Sequence, residues 1–274
     1  MRTPMHEWPL VLFTALAIAG AGTLAAEPLL AAFGAVDPAV AQQRAGWAAM
    51  LMVVGLVASL GHLGRPGRLA LASRRFGLSA LSTEVVLATI VAAGGGVLAL
   101  SPAGAAFTRV LAWGSAAASL AFLVSLGLVY GLRGQVTWRG AAVAGPLFTG
   151  LSYGVVAHAA AAPDSLSRIL VPALVLLAVD GALLGARWRR IGAVQPWLTP
   201  AYPHIFRHRH LLLTDRLLLV TLAPAVLLIV SAATLADLSL GIGLLVDRIT
   251  FYGLAVQQTT EAEVRRVEAL IARE

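Results

Sequence analysis

The chain has 274 residues, 59% of them hydrophobic and 12% charged, with a net charge of +7 and no cysteine. A soluble domain carries roughly 25% charged residues, so this composition excludes an ordinary soluble fold. The lack of cysteine excludes disulfides, thiolate metal sites, c-type haem attachment and an iron–sulfur cluster held by this chain alone.

Long apolar runs follow one another, each near the ~20 residues needed to cross a bilayer. They are continuous and rich in Leu, Ala, Val and Gly, whereas a membrane barrel alternates apolar and polar positions. Helices are therefore expected. The predicted spans are Trp8–Phe33, Ala45–Leu63, Leu78–Leu100, Val110–Leu132, Ala141–Ala162, Ile169–Ala186, Leu217–Ala236 and Leu238–Val256. The first is read as a span, because its apolar run is too long for a signal peptide and no small-residue cleavage site ends it. Asp37-Pro38, Arg65-Pro66-Gly67, Ser101-Pro102, Arg133-Gly134 and Pro163-Asp164 are turn-like breaks. Only Asp237 punctuates the last two spans. Trp8, Trp47, Trp138 and Trp188 lie near predicted span ends, as in an interfacial aromatic belt. The expected fold is all-α: a polytopic membrane helix bundle of about eight transmembrane helices. It forms one domain over residues 1–256, and a polar tail of Glu and Arg follows over 257–274.

The sequence pI of about 11.1 does not point to nucleic acid, because the basic residues cluster in short loops. Both termini and loops two, four and six form one side, the even side. It carries 17 of the 20 basic residues, all arginine, and the odd side carries Arg44, Arg109 and Arg168. The positive-inside rule then places both termini in the cytoplasm. Docking of an acidic soluble partner on that face explains the same asymmetry.

Ionisable side chains within spans are functional suspects. At 1.5 Å per residue, His62, Glu84, Asp180 and Arg248 fall at similar depth near the even side, while Glu27 and His158 fall near the odd side. His62 and Glu84 flank one short loop. A histidine that bonds one quinol hydroxyl and a carboxylate that takes up a proton suit quinol oxidation. The bland alternative is that Asp180 pairs with Asp247-Arg248 as interhelical glue. His62 and His158 lie on opposite sides and do not ligate one haem, so no haem is expected. No metal site is expected either: His204, His208 and His210 sit among arginines, which favours a basic surface toward lipid or a partner. There is no Walker A loop, dinucleotide fingerprint or HExxH pair.

Three stretches carry a resemblance: His6-Glu7-Trp8-Pro9-Leu10-Val11-Leu12-Phe13-Thr14; Ser59-Leu60-Gly61-His62-Leu63-Gly64-Arg65-Pro66-Gly67-Arg68, leading into Leu78-Ser79-Ala80-Leu81-Ser82-Thr83-Glu84; and Arg248-Ile249-Thr250-Phe251-Tyr252-Gly253. Together they resemble the DmsC family, the membrane anchor subunit of dimethyl sulfoxide reductase-type molybdoenzymes. The resemblance implies an eight-helix anchor in the bacterial inner membrane that oxidises a quinol, typically menaquinol. It also implies a docked iron–sulfur electron-transfer subunit, to which the electrons pass, and a molybdopterin catalytic subunit. It places the quinol-site histidine on His62 and the carboxylate on Glu84. Arg248 and Tyr252 match an Arg-x-x-Phe-Tyr element, Tyr130 and Thr137-Trp138 resemble weaker positions, and Arg248, Tyr252 and Tyr130 are expected to bind the quinol together with His62 and Glu84. Leu244 stands where some members carry a carboxylate. Arg65, Arg68, Arg74 and Arg75 are expected to border the docking face. The rival expectation is a solute transporter or channel with a polar pocket in one leaflet, although no internal repeat is visible.

Overall fold

The computed structural model describes residues 8–32, 34, 36–61, 76–102, 105–130, 137, 140–193, 199–200 and 202–257. Within these, the protein forms α1 (Trp8–Ala32), α2 (Pro38–Leu60), α3 (Ala80–Leu100), α4 (Ala106–Tyr130), α5 (Ala141–Ala161), α6 (Leu166–Gly192), a short α7 (Pro203–Arg207), α8 (Arg209–Leu217), α9 (Ala223–Ile229) and α10 (Ala233–Gly253). A π-helical turn at Leu218–Leu222 joins α8 to α9, so Arg209–Ile229 is one rod. Six described helices are long and apolar enough to cross a membrane: α1 to α4, α6 with its preceding turn, and the α8–α9 rod. Two more rods, α5 and α10, are 21 residues each, and α10 carries Asp237, Asp247 and Arg248. One antiparallel pair, Thr199–Pro200 with Val256–Gln257, ties the segment after α6 to the end of α10.

The bundle is apolar outside as well as inside. Val53, Val54 and Val57 on α2, Val171 and Val175 on α6, and Leu238, Ile242 and Ile249 on α10 are all exposed. A soluble monomer does not carry such continuous apolar surface, and lipid is its natural solvent.

α1 is the central element. In its most apolar window 78% of residues are buried, against 28% for α2, α3 and α6. It packs on α2, α4, α5 and α10 through small residues such as Ala17, Gly20, Ala21, Gly22 and Ala25. A Cβ on Gly22 would lie 1.9 Å from the Gly150 carbonyl oxygen, and one on Gly154 would lie 2.3 Å from the Gly22 carbonyl oxygen. The α1–α5 backbones therefore touch where only glycine fits, as small-residue helix packing in membranes requires.

Several boundaries differ from the sequence expectation for local reasons. α2 starts at Pro38, not Ala45, because Asp37 accepts a hydrogen bond from the Ala39 N–H at 2.7 Å and Pro38 suits the first turn. Gln42 and Arg44 are thus helical, not loop, residues. Gln42 Nε2 donates to the Ala99 and Ser101 carbonyls at 2.9 and 2.7 Å, satisfying the end of α3. α6 runs on to Gly192, and α8 begins at Arg209, not Leu217. Arg187 and Arg216, expected in a loop, are therefore buried helical residues. The break between the last two rods falls at Val230–Ala232 and not at Asp237. Ser231 adopts φ 59°, while the Ser231 and Ala232 N–H groups donate to the Leu228 and Leu227 carbonyls. This is a Schellman ending with serine at the left-handed position usually given to glycine. The π turn lies just before Pro224, which lacks the N–H that would bond the Val220 carbonyl. Ser239 Oγ donates to the Leu219 carbonyl at 2.9 Å and so anchors α10 to that turn.

Gly22→Ala is expected to destabilise the bundle by about 1–3 kcal/mol, since two backbones must separate. Gly96→Ala is the control, because nothing lies within 4 Å of its Cβ position. Thermal unfolding of the detergent-solubilised variants measures both, and equal melting temperatures would refute the close-contact reading.

Candidate functional site

On the even side, five ionisable residues from three rods meet in the interior. Arg216 of α8 forms a fork with Asp180 of α6, Nη1–Oδ2 at 2.7 Å and Nη2–Oδ1 at 2.9 Å. Its Nε donates to Asp247 Oδ1 of α10 at 3.0 Å. Thr149 of α5 donates to Asp180 Oδ1 at 2.5 Å. Arg248 pairs with Asp247 Oδ2 through Nε at 2.8 Å and through Nη2. Arg187 stands 3.9 Å from Asp247 and 5.1 Å from the Phe251 ring centroid, and the Arg248 guanidinium lies 4.8 Å from the same centroid. All five ionisable residues are buried. The expected glue between Asp180 and Asp247-Arg248 exists, but its mediator is Arg216, a residue that the sequence pattern places in a loop. The apolar positions Leu213 and Val220, spaced as one helix face with Arg216, carry the signal that it belongs inside.

On the odd side, Glu27 of α1 takes up the charge of Arg44 and meets His158. Arg44 Nε donates to Glu27 Oε1 at 2.9 Å, and its Nη1 donates to the Ala157 carbonyl at 2.7 Å. His158 Nδ1 lies 3.0 Å from Glu27 Oε2. The loop expected at Arg44 hides this cluster from sequence reasoning. Next to it lies an apolar-walled cavity of about 250 Å³, lined by Leu24, Glu27, Ala45, Leu98 and Ala112 among others.

Glu84 lies in the second turn of α3. The backbone enters that helix through Gly77 at φ 75°, whose N–H donates to Thr83 Oγ1 at 3.0 Å, while Thr83 Oγ1 donates to the Ser79 carbonyl. Only glycine adopts that φ without strain, so the Gly77-to-Glu84 stretch is fixed locally. Glu84 is 2% exposed, and its Oε2 has no hydrogen-bond partner among the described residues. His62, Arg65, Arg68, Arg74 and Arg75 lie outside the described residues. Gly61 closes α2 by donating to the Ala58 carbonyl at 3.0 Å, and it sits against Pro9 of α1. α2 and α3 pack side by side, so α2 ends, one residue before His62, on the side where α3 begins.

Tyr252 is 5% exposed, stacks edge-on to Phe251 at 5.3 Å and packs in one cluster with Phe13, Met52 and Ala88. Ala88 lies one turn beyond Glu84. Tyr130 ends α4, and its side chain lies outside the described residues, as does Trp138. Thr137 Oγ1 donates to the Leu254 carbonyl at 2.9 Å, tying loop four to the end of α10. His210 Nδ1 lies 3.2 Å from Trp188 Nε1 and accepts its hydrogen. Among the described residues no three metal-ligating side chains converge.

Membrane-length rods, lipid-facing apolar surfaces and charges buried in pairs define a polytopic helical membrane protein. The protein belongs to the DMSO reductase anchor subunit family (DmsC), whose profile matches residues 1–254. It is similar to the C subunit of the anaerobic dimethyl sulfoxide reductase of Escherichia coli (strain K12), 38% identical over 103 residues that cover 35% of each sequence. It is also similar to the anaerobic dimethyl sulfoxide reductase subunit YnfH of the same strain, 36% identical over 99 residues and again 35% of each sequence. The alignments thus span about a third of the length of these curated relatives.

Arg216→Gln is expected to destabilise the bundle by roughly 3–5 kcal/mol, because it leaves Asp180 and Asp247 buried without their shared partner. Adding Asp180→Asn should recover part of the loss, since the two sites are coupled. Melting temperatures of the single and double variants in detergent decide it, and simple additivity would sink the coupling.

Proposed function

We propose that the protein is the membrane anchor and quinol-oxidising subunit of a molybdopterin/iron–sulfur oxidoreductase in the bacterial inner membrane. Family membership supports the anchor role. The open Oε2 of Glu84 carries the quinol role. This buried acceptor stands on the side of the bundle where α2 ends, one residue before His62, and a quinol hydroxyl is a donor that satisfies it.

Quinol, specifically menaquinol, enters laterally between helices and lies under the loop from His62 to Gly77. His62 bonds one hydroxyl and takes up its proton, and Glu84 accepts the other and relays its proton, so that two protons leave as the quinol gives up two electrons. In this reading Tyr252 and Tyr130 also contact the quinol. Arg248 acts by position: bonded to Asp247 and 2% exposed, it holds α10 so that Tyr252 keeps its place. Electrons pass to an iron–sulfur subunit docked on the face bordered by Arg65, Arg68, Arg74 and Arg75, and from there to a molybdopterin subunit. Docking is needed because the anchor has no cysteine to hold a cluster itself. With both termini cytoplasmic, the docking face is cytoplasmic too. Setting aside the buried Arg187, Arg216 and Arg248 together with the ion-paired Arg44 leaves the arginine asymmetry in place.

A second reading rests on the cavity of about 250 Å³ beside Glu27. An apolar pocket with a few polar groups is a usual form of ligand site, and here Glu27 would be the acceptor, on the odd side.

In the assembled complex, His62→Ala and Glu84→Gln are each expected to lower quinol-driven reductase activity by about 10²-fold or more. Reduction driven by a soluble dye that bypasses the anchor should stay unchanged. Wild-type quinol-driven rates in both variants would overturn the first reading, and loss in Glu27→Gln instead would establish the second. Purification in mild detergent should bring down iron- and molybdenum-containing partners.

A further inference from the structure

Among the described residues the even-side cluster is not charge-balanced. It holds the guanidinium groups of Arg187, Arg216 and Arg248 against the carboxylates of Asp180 and Asp247, all buried, which leaves one positive charge over. Asp180 is filled by Arg216 and Thr149, and Asp247 is filled by Arg216 and Arg248. Arg187 reaches Asp247 only at 3.9 Å. Its Nε and Nη2, with Arg248 Nη1, are buried N–H donors that lack a hydrogen-bond partner among the described residues.

These two arginines line one cavity with Gly145, Leu184, Asp247 and Phe251, and it has room of about 20 Å³. That is about one water-sized sphere. A Cβ on Gly145 would meet nothing within 4 Å, so the wall is open at that point. A lone unpaired charge in a low-dielectric interior is strongly disfavoured. A water accepts a hydrogen bond or two here but leaves the charge uncompensated. Phosphate, sulfate and carboxylate groups carry the right sign but bring several oxygens, each with lone pairs to satisfy, against the few free N–H donors here. A monatomic halide has the right charge and size, and it accepts several N–H donors without a preferred direction.

We propose that Arg187 and Arg248 bind one chloride ion in this cavity, closing the charge count of the α6–α8–α10 junction. The site rests on charge and cavity geometry and not on the quinol reading, although Arg248 belongs to both. Its role is to hold the three rods together on the even side, so occupancy by halide sets the stability of that end of the bundle.

The test uses the purified full-length protein in detergent, with whatever partners accompany it. Chloride is titrated against gluconate at constant ionic strength while thermal unfolding is followed. The melting temperature should rise saturably by several degrees, and bromide should substitute for chloride. Arg187→Met removes both the surplus charge and two of the orphan donors, so its melting temperature should be independent of halide. In a bromide-soaked crystal of the wild-type protein an anomalous peak should appear within about 4 Å of Arg187 Nε, the reach of a halide contact to an N–H donor, which decides the matter even if the variant fails to fold. No halide dependence in the wild type, undiminished dependence in Arg187→Met, or a cavity holding water alone would each overturn the proposal.

Discussion

Helices in a bilayer gain nothing by hiding apolar surface from lipid, so the bundle depends on how closely its backbones can approach. The decisive contact is between α1 and α5, where Gly22 faces Gly150 and Gly154 with no room for a side chain. Everything else is arranged around it. Apart from Glu27, α1 is largely apolar all round because it is surrounded, and its alanines and glycines let α2, α4 and α10 come near as well. The larger side chains move outward to lipid, which explains why exposed valine, leucine and isoleucine are so frequent on α2, α6 and α10.

Packing of this kind is weak in specificity, since one alanine-rich face resembles another. The ionic clusters supply register. Arg216 can satisfy Asp180 and Asp247 together only when α6, α8 and α10 stand at one relative height. Arg44 can reach Glu27 and the Ala157 carbonyl only when α1, α2 and α5 do. The two clusters lie at opposite ends of the bundle, so tilt as well as height is fixed. Such pairs contribute little net stability against an apolar replacement, but breaking one is expensive. That combination suits a device for excluding wrong arrangements.

Much of the architecture is legible in the sequence because hydrophobic run length is a strong signal and lipid permits few answers. The rods Trp8–Ala32, Ala80–Leu100 and Ala141–Ala161 fall within a few residues of expectation. The differences gather where an ionisable residue suggests a loop. Arg44, Arg187 and Arg216 are polar by composition but helical in fact, Arg44 half-buried and the other two buried, because each meets a carboxylate from a distant part of the sequence. No local pattern reveals that partner. The break at Ser231 is invisible for another reason: a serine in the left-handed position carries no glycine signature. For the proposed site, the Gly77-to-Glu84 entry is local chemistry and readable in order. Placing Glu84 near the even side needs only the rise of a helix.

The contrast between Glu84 and the other buried carboxylates is the strongest pointer to chemistry. Glu27, Asp180 and Asp247 each meet at least one arginine within 3.0 Å. Oxygens so engaged are already committed to ion pairs that hold helices in place. Glu84 is buried to a similar extent, yet one of its oxygens has no hydrogen-bond partner among the described residues. Among the described residues Asp237 Oδ1 on α10 also lacks a hydrogen-bond partner, but Asp237 is half-buried; Glu84 is 2% exposed and keeps a polar group whose partner must come from elsewhere. The helix around it is rigidly started by Gly77 and Thr83, so the open oxygen is held in place and can meet a hydroxyl without first reorganising the backbone. A structural role alone would be served as well by an apolar residue at that position, and it would avoid the desolvation penalty of a buried carboxyl group.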